Sequence, residues 1–398
     1  MRPVDRFVNY AKIDTQADET SGLTPSTEKQ KDLGRLLVKE LLELGLKDAH
    51  MDQYGNVYAH LKGVGEKIGF NAHIDTALEV TDTNVNPQII EKYDGNDIVL
   101  GHNHVLSPKQ FPRLLNYVGN TLVVTDGSTL LGGDDKAGIA IIMSALEYLV
   151  THPEIKHSNI SVAFTVDEEI GEGTKFFDYK KMDADYAYTL DGSDINNIDY
   201  ENFNANKVTI KAHGVAIHPG EGKGQLVNAA VLINELVNSL PKNETPYHAG
   251  KDDGYWHINN INGDSEKMTL NMILRDFDEV TIQKYVSLLM DKKEELLSLY
   301  PKAKISVEVS YQYENMYKFV KDNIHVVKKA DDALIKNGLN PVESKIRGGT
   351  DGATMSKNGL ITPNLGTGSY NHHGRYEYLV VEEMQKMIDV VIDIVKVN

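Results

Sequence analysis

Five short stretches of this chain place side chains able to bind metal where a strand or a glycine turn ends. In "IGFNAHIDT", His73 and Asp75 interrupt an apolar run; residues two apart on a strand share a face, so both could reach one object. "GGDDKAG" sets Asp134 and Asp135 in a glycine-lined turn at the start of a helix. "VDEEIG" supplies the neighbours Glu168 and Glu169, "TLDGSD" supplies Asp191, and "YNHHGRYEY" supplies His372 and His373. Taken singly, each has a more ordinary explanation: a core histidine bonded to an acid, a helix N-cap, a solvated pair. Their recurrence at strand ends and glycine turns is what the ordinary explanations do not cover.

Two divalent cations about 3.5–4 Å apart need a bridging carboxylate, plus a histidine and an acid for each. Two histidines and three carboxylates fill that pattern. A further carboxylate that binds no metal can deprotonate the attacking water and later protonate the leaving amine. Glu168 and Glu169, adjacent residues that face different ways, suit such a division. Asp75 then fixes the tautomer and orientation of His73. Cysteine is absent. A thiolate nucleophile, a disulfide framework and a cysteine zinc site are therefore excluded, and any metal must rest on His, Asp and Glu, the ligands of catalytic sites.

The elements that must carry these groups follow from the pattern. "STEKQKDLGRLLVKELLELGL" reads as a helix with a Ser/Thr start and a stop near Gly45. "NVYAHLKG" and "KIGFNAHID" read as strands, and "TLVVTDG" leads into "LLGGDDKAGIAIIMSALEYLV", a turn running into an apolar helix. "ISVAFTVDEEIG" and "YAYTLDG" are short buried strands ending in carboxylates. Strands alternating with helices predict an α/β fold, a mostly parallel sheet with helices on both faces and functional groups at the strands' carboxyl ends. From Asn206 the order becomes strand, helix, strand, strand, helix, strand. That βαββαβ order predicts a ferredoxin-like domain over 206–315, inserted into a catalytic domain of 1–205 and 316–398. "YLVVEEMQKMIDVVIDIVKV" is expected to close the larger domain as a helix. The polar segment from Thr81 to Asn120 has no periodicity that fixes its role.

At 398 residues, 41% hydrophobic and 25% charged, the chain has material for a sizeable core in two or three domains. A net charge of −17 argues against nucleic acid or an anionic membrane as partner. No run of about 18 apolar residues is present, and "MRPVDRFVNYAK" lacks the apolar core of a signal peptide, so a cytoplasmic protein is expected.

Taken in order, "HIDT", "GGDDKAG", "DEE", "LDG", "IHPG" and "HHG" resemble the di-zinc exopeptidase family over essentially the whole chain. "NPQIIEKYDGNDIVLG", "LSPKQFP", "YENFNAN" and "RGGTDGA" are similar to its tripeptide aminopeptidases in particular. The resemblance implies two Zn2+ per chain: His73 and Asp191 on one, Glu169 and His373 on the other, and Asp134 bridging, joined to Asp135 by a cis peptide. It makes Glu168 the general base, with Asp75 supporting His73, and singles out His373 over His372. In the inserted domain, a lid in this family, it points to His218 as oxyanion stabiliser and Arg275 as carboxylate binder, with Arg347 of "RGGTDGA" a second candidate. The implied activity is release of the N-terminal residue from short peptides, tripeptides foremost. The alternatives are a related dipeptidase, carboxypeptidase or N-acyl amino-acid deacylase, and more remotely a non-catalytic, metal-stabilised binding protein. A homodimer through the inserted domain is a further expectation.

Overall fold

Three apolar strands, Lys67–His73, Asn159–Thr165 and Tyr186–Gly192, are covered on both faces and therefore lie together at the centre of a sheet. In the computed structural model, which describes residues 1–397, they run parallel with Asn364–Gly366 as the four central strands of an eight-stranded sheet. Antiparallel strands flank them, among them Val57–Leu61 on one side and Asn197–Asn202 on the other. Asn398, the last residue of the expected catalytic domain, lies outside the described residues.

The chain divides into two units. The larger comprises Met1–Tyr200, Met316–Ser344 and Thr350–Asn398; the smaller comprises Glu201–Asn315 and Lys345–Gly349. In the larger, the helix Gly133–Thr151 is buried along nearly its whole length, and the helices Pro3–Ala11 and Val381–Val395 pack on it. Its Ile142, Leu146 and Leu149 meet Phe70, Ile160 and Val162 on one face of the sheet. The alternate residues Tyr58, Ala163 and Ala187 point to the other face, against Phe177, Met182 and Met355. The expected α/β architecture with helices on both faces is what forms.

The smaller unit is a four-stranded antiparallel sheet in the order Tyr255–Gly263, Lys267–Asp276, Asn204–His213, Lys304–Tyr313. The helices Ala229–Val237 and Glu279–Leu299 bury Leu232, Leu236, Ile282 and Leu289 against its Val208, Ile210, Leu270 and Met272. Its boundaries differ from those read in the sequence: it starts at Glu201, and Lys345–Gly349 groups with it. Arg347 is the physical reason. Its Nη1 donates to the carbonyls of Gly250, Lys251 and Asp253, and its guanidinium lies over the rings of Phe203 and Tyr255.

Two elements depart from expectation. The first long helix runs Gln30–Glu43 rather than from the Ser/Thr start, because Ser26 and Gln30 spend their side chains on Asp167. The closing helix starts only at Val381; Tyr378–Val380 is a strand of a small sheet in the order Ser369–Tyr370, Tyr378–Val380, Leu122–Val124, Gln88–Ile90. Backbone pairing wins there because the neighbouring strands offer a complete ladder to an apolar, β-prone triplet.

Gly138 sets how closely the buried helix approaches its sheet. A Cβ there would stand 2.0 Å from the Leu190 carbonyl oxygen and 2.5 Å from Asp135 Oδ1. Gly138→Ala is therefore expected to cost about 1–3 kcal/mol of stability through overpacking, read as a lower urea midpoint at unchanged slope.

Candidate metal centre

Parallel register brings the strand ends to one edge. His73 pairs with Thr165, and Asn71 with Thr189, so His73, the residues after Thr165 and Asp191 emerge side by side. The remaining groups arrive on turns. Gly132, at φ +79°, makes the left-handed bend that leads into the Asp134–Asp135 pair, whose peptide bond is cis as the resemblance implied. Glu377 fixes this bend: its carboxylate accepts from Leu131 N and Gly132 N at 2.7 and 2.8 Å, and from Asp134 N at 3.0 Å.

The buried His73 donates its backbone N–H to Asp135 Oδ2 and presents Nε2 to Asp134 Oδ1 at 2.9 Å and to Asp191 Oδ1 at 3.5 Å. On the far side of the ring, Nδ1 meets the backbone carbonyl of Asp75 at 3.0 Å, against 3.5 Å to its carboxylate. Asp75 thus orients His73 mainly through its main chain. Its carboxylate is committed elsewhere, accepting from Glu168 N and Glu169 N at 3.0 Å each. One residue couples the histidine to the glutamate pair.

Asp167, ahead of that pair, sits at φ +62° and is held there by Ser26 and Gln30, which donate to its carboxylate. Glu169 Oε2 lies 3.1 Å from His373 Nε2, which also faces Asp134 Oδ2 at 3.3 Å. His372, whose role the sequence left open, contacts Asp134 Oδ2 through Nδ1 at 3.0 Å. Two ligand groups result, His73–Asp134–Asp191 and Asp134–Glu169–His373, each with its ligand atoms within 4.8 Å of one another and each able to hold a metal ion. Asp134 belongs to both. Glu168 belongs to neither.

The electrostatics of this cluster fit cations. Burial and the Asp191 charge push the Glu168 carboxyl well above its usual range, and burial and the Asp134 charge push Glu169 up to about 7. Burial also opposes charge on Asp134, but the cationic His372 and the hydrogen bonds of His372, His373 and His73 win and carry it well below. Conversely, hydrogen bonds to Asp134 and Glu169 raise His373 to about 11, and His372 reaches about 9 beside Asp134 despite its burial. Protons are thus doing the work of compensating charge. Glu169 Oε1, buried and without a hydrogen-bond partner among the described residues, has lone pairs that a cation would satisfy. The residues fit a pair of divalent cations sharing Asp134.

The three substrate-binding candidates belong to the smaller unit. His218 is exposed, its Nδ1 accepting from Gly220 N at 3.2 Å. Arg275 is buried in its own sheet: Nη1 donates to the carbonyls of Asn206 and Leu274, Nη2 to Gln312, and the guanidinium lies over Tyr313. Arg347 makes the three carbonyl contacts described above. Sequence reasoning missed Glu377, Asp167 and Asp351, the last a buried carboxylate accepting from Thr165 Oγ1 at 2.7 Å. All three stand inside stretches already singled out, but nothing in their spacing separates a carboxylate that holds backbone from one that holds metal.

Residues 126–397 match the peptidase family M20/M25/M40, and the chain belongs to that family. It is similar to Peptidase T of Desulfitobacterium hafniense, 47% identical over 399 residues that span 99% of this chain and 97% of the relative. Among solved structures, the aminopeptidase PepT from Bacillus cereus matches with a TM-score of 0.79 at 23% identity, over 99% of this chain and 97% of that one. The Bacillus subtilis YXEP protein, described as a dinuclear metal binding peptidase from family M20, matches with a TM-score of 0.67 at 12% identity, over 99% and 96%. The peptidase class expected from the motifs is borne out by the family.

Because Gln would turn an amide N–H2 toward backbone N–H groups that now meet a carboxylate, Glu377→Gln is expected to loosen the turn carrying the shared ligand. Metal affinity should fall about 10–100-fold at both positions, measured by titrating the metal-stripped protein.

Proposed function

We propose that this chain is a metal-dependent aminopeptidase that releases the N-terminal residue from short peptides, tripeptides foremost, with two zinc ions as its cofactor. The observation that carries the reading is a half-buried carboxylate, Glu168, next to Glu169 of one of two ligand triads that share Asp134, and a member of neither. The tripeptide preference is supported by the stretches "YENFNAN" and "RGGTDGA", which resemble tripeptide aminopeptidases. In this reading His73 and Asp191 would hold one ion, Glu169 and His373 the other, and Asp134 would be shared by both.

Zinc held by these residues would supply a Lewis acid for the scissile carbonyl and would lower the pKa of water. Glu168 takes the proton from water as its oxygen bonds to the carbonyl carbon, and returns it to the amine nitrogen as the C–N bond breaks. Asp75 keeps Glu168 in place by accepting from its backbone N–H, while Glu377 keeps the turn of Asp134 closed. His218 is proposed to stabilise the oxyanion and Arg347 to bear on the substrate carboxylate; Arg275, buried with its guanidinium spent on Asn206, Leu274 and Gln312, is left out of that role. No described helix is long and apolar enough to cross a membrane. A cytoplasmic location belongs to the same reading, in keeping with a chain without cysteine. So does a homodimer through the smaller unit, supported by the edge position of its Tyr255–Gly263 strand.

Ala-Ala-Ala, Ala-Ala and N-acetyl-Ala-Ala-Ala, assayed side by side with identification of products, test the activity. Free alanine and Ala-Ala are expected from the tripeptide, with the acetylated peptide inert; release of free alanine from the acetylated peptide, which only carboxyl-end cleavage gives, or its deacetylation, overturns the reading. Chelation should abolish activity and zinc restore it.

Glu168→Gln separates base from ligand. The variant should retain two ions by metal analysis yet lose about 10²–10⁴-fold in kcat. Loss of an ion would exchange the roles of Glu168 and Glu169.

A further inference from the structure

The segment after Glu79 wraps the turn that carries the two adjacent histidines. Its Gln88–Ile90 strand pairs with Leu122–Val124, which pairs with Tyr378–Val380, which pairs with Ser369–Tyr370. Its hairpin, Ile98–Gly101 and His104–Leu106, brings His104 Nδ1 to 3.2 Å from Tyr376 Oη, the rings meeting edge to face at 5.7 Å. Phe111 lies 5.2 Å from the Tyr376 ring, and the Arg113 guanidinium covers Tyr370 at 4.6 Å. Both ends of the histidine turn are therefore gripped by one segment.

The turn needs that grip. Asn371 and His373 sit at φ +58° and +61°, a left-handed conformation that costs a residue with a Cβ. Asn371 Nδ2 donates to the Tyr376 carbonyl at 3.0 Å and closes the turn on the gripped residue. Glu79 completes the arrangement: its Oε1 lies 3.3 Å from His373 Nδ1, on the side opposite the Nε2 that faces Asp134 and Glu169. An imidazole that donates from Nδ1 to a carboxylate keeps its Nε2 lone pair forward and more basic.

The two histidines are thus supported unequally. His73 is 2% exposed and leans on a backbone carbonyl, whereas His373 is 40% exposed and leans on a side chain that is itself 62% exposed.

We propose that Glu79 is a positioning residue for His373 and that residues 81–120 brace the turn beneath it, so that together they set the affinity of one of the two metal positions. The proposal rests on His373 being a ligand.

The test is titration of the metal-stripped protein with Co2+, followed by calorimetry and by the visible absorption of the bound ion. The unmodified chain should take two ions. In Glu79→Ala one ion should weaken by about 10–100-fold while the other holds, and Glu79→Gln, which still accepts from Nδ1, should recover part of the loss. Tyr376→Ala, which removes the ring that His104 and Phe111 hold, should reproduce the one-sided loss; Tyr376→Phe should largely escape it. The thermal midpoint of metal-free Glu79→Ala should match that of the unmodified chain. Unchanged binding of both ions in Glu79→Ala, equal loss of both, or a lowered metal-free midpoint overturns the positioning role. If His373→Ala still takes two ions at full affinity, the ligand reading falls and this proposal with it.

Discussion

Glu377 gives three backbone N–H groups a single acceptor, and the rest of the site depends on that arrangement. The groups it satisfies belong to the left-handed bend at Gly132 that leads into the buried helix. With the bend fixed, Asp134 can stand where His73, His372 and His373 all reach it. With Asp134 placed, each ligand triad acquires its common member. Ser369 and Glu377 also crowd Gly133, where an added Cβ would meet the Ser369 hydroxyl at 2.1 Å. The glycines of the turn are there for closeness as much as for conformation.

A second layer of restraint runs behind the strand ends. Asp75 sits at the carboxyl end of one strand and takes the N–H groups of the residues that follow the next, so neighbouring strands deliver their groups in fixed relation. Lys136, fully buried just past the turn, donates to the Ile13 carbonyl at 2.7 Å, with burial lowering its ammonium to about 8. Asp82, 3.9 Å away, accepts from Thr15 N and Thr76 Oγ1. Buried charges of this sort contribute little net stability, but removing one partner leaves the other uncompensated. They hold Ile13 and Thr15, just past the helix Pro3–Ala11, to the segment after His73.

Much of this was legible in the sequence because metal ligation demands rare residue types at strand ends. His73, Asp134, Glu169, Asp191 and His373 announce themselves by interrupting apolar runs or glycine turns, and the structure brings these five together. The central strands were legible for a related reason: buried parallel strands are continuous apolar runs. What the sequence hid falls into two kinds. Carboxylates that accept only backbone N–H groups, such as Glu377 and Asp167, have no pattern of their own, since their partners are set by tertiary approach. Long-range attachments were equally silent: Arg347 joins the smaller unit through contacts with Gly250 and Phe203, about 100 residues or more distant in sequence, and Tyr378–Val380 became strand through pairing with Leu122–Val124.

The five residues proposed as ligands come from positions 73, 134, 169, 191 and 373, and the whole of Glu201–Asn315 is spelled out between the fourth and the fifth. A ribosome working from the amino end therefore finishes one triad, His73–Asp134–Asp191, well before it reaches the residue that completes the other. The turn that fixes Asp134 waits just as long, because Glu377 is made four residues after His373. Order of synthesis thus separates the two: Glu168, the proposed base, is made 205 residues before His373, the proposed ligand.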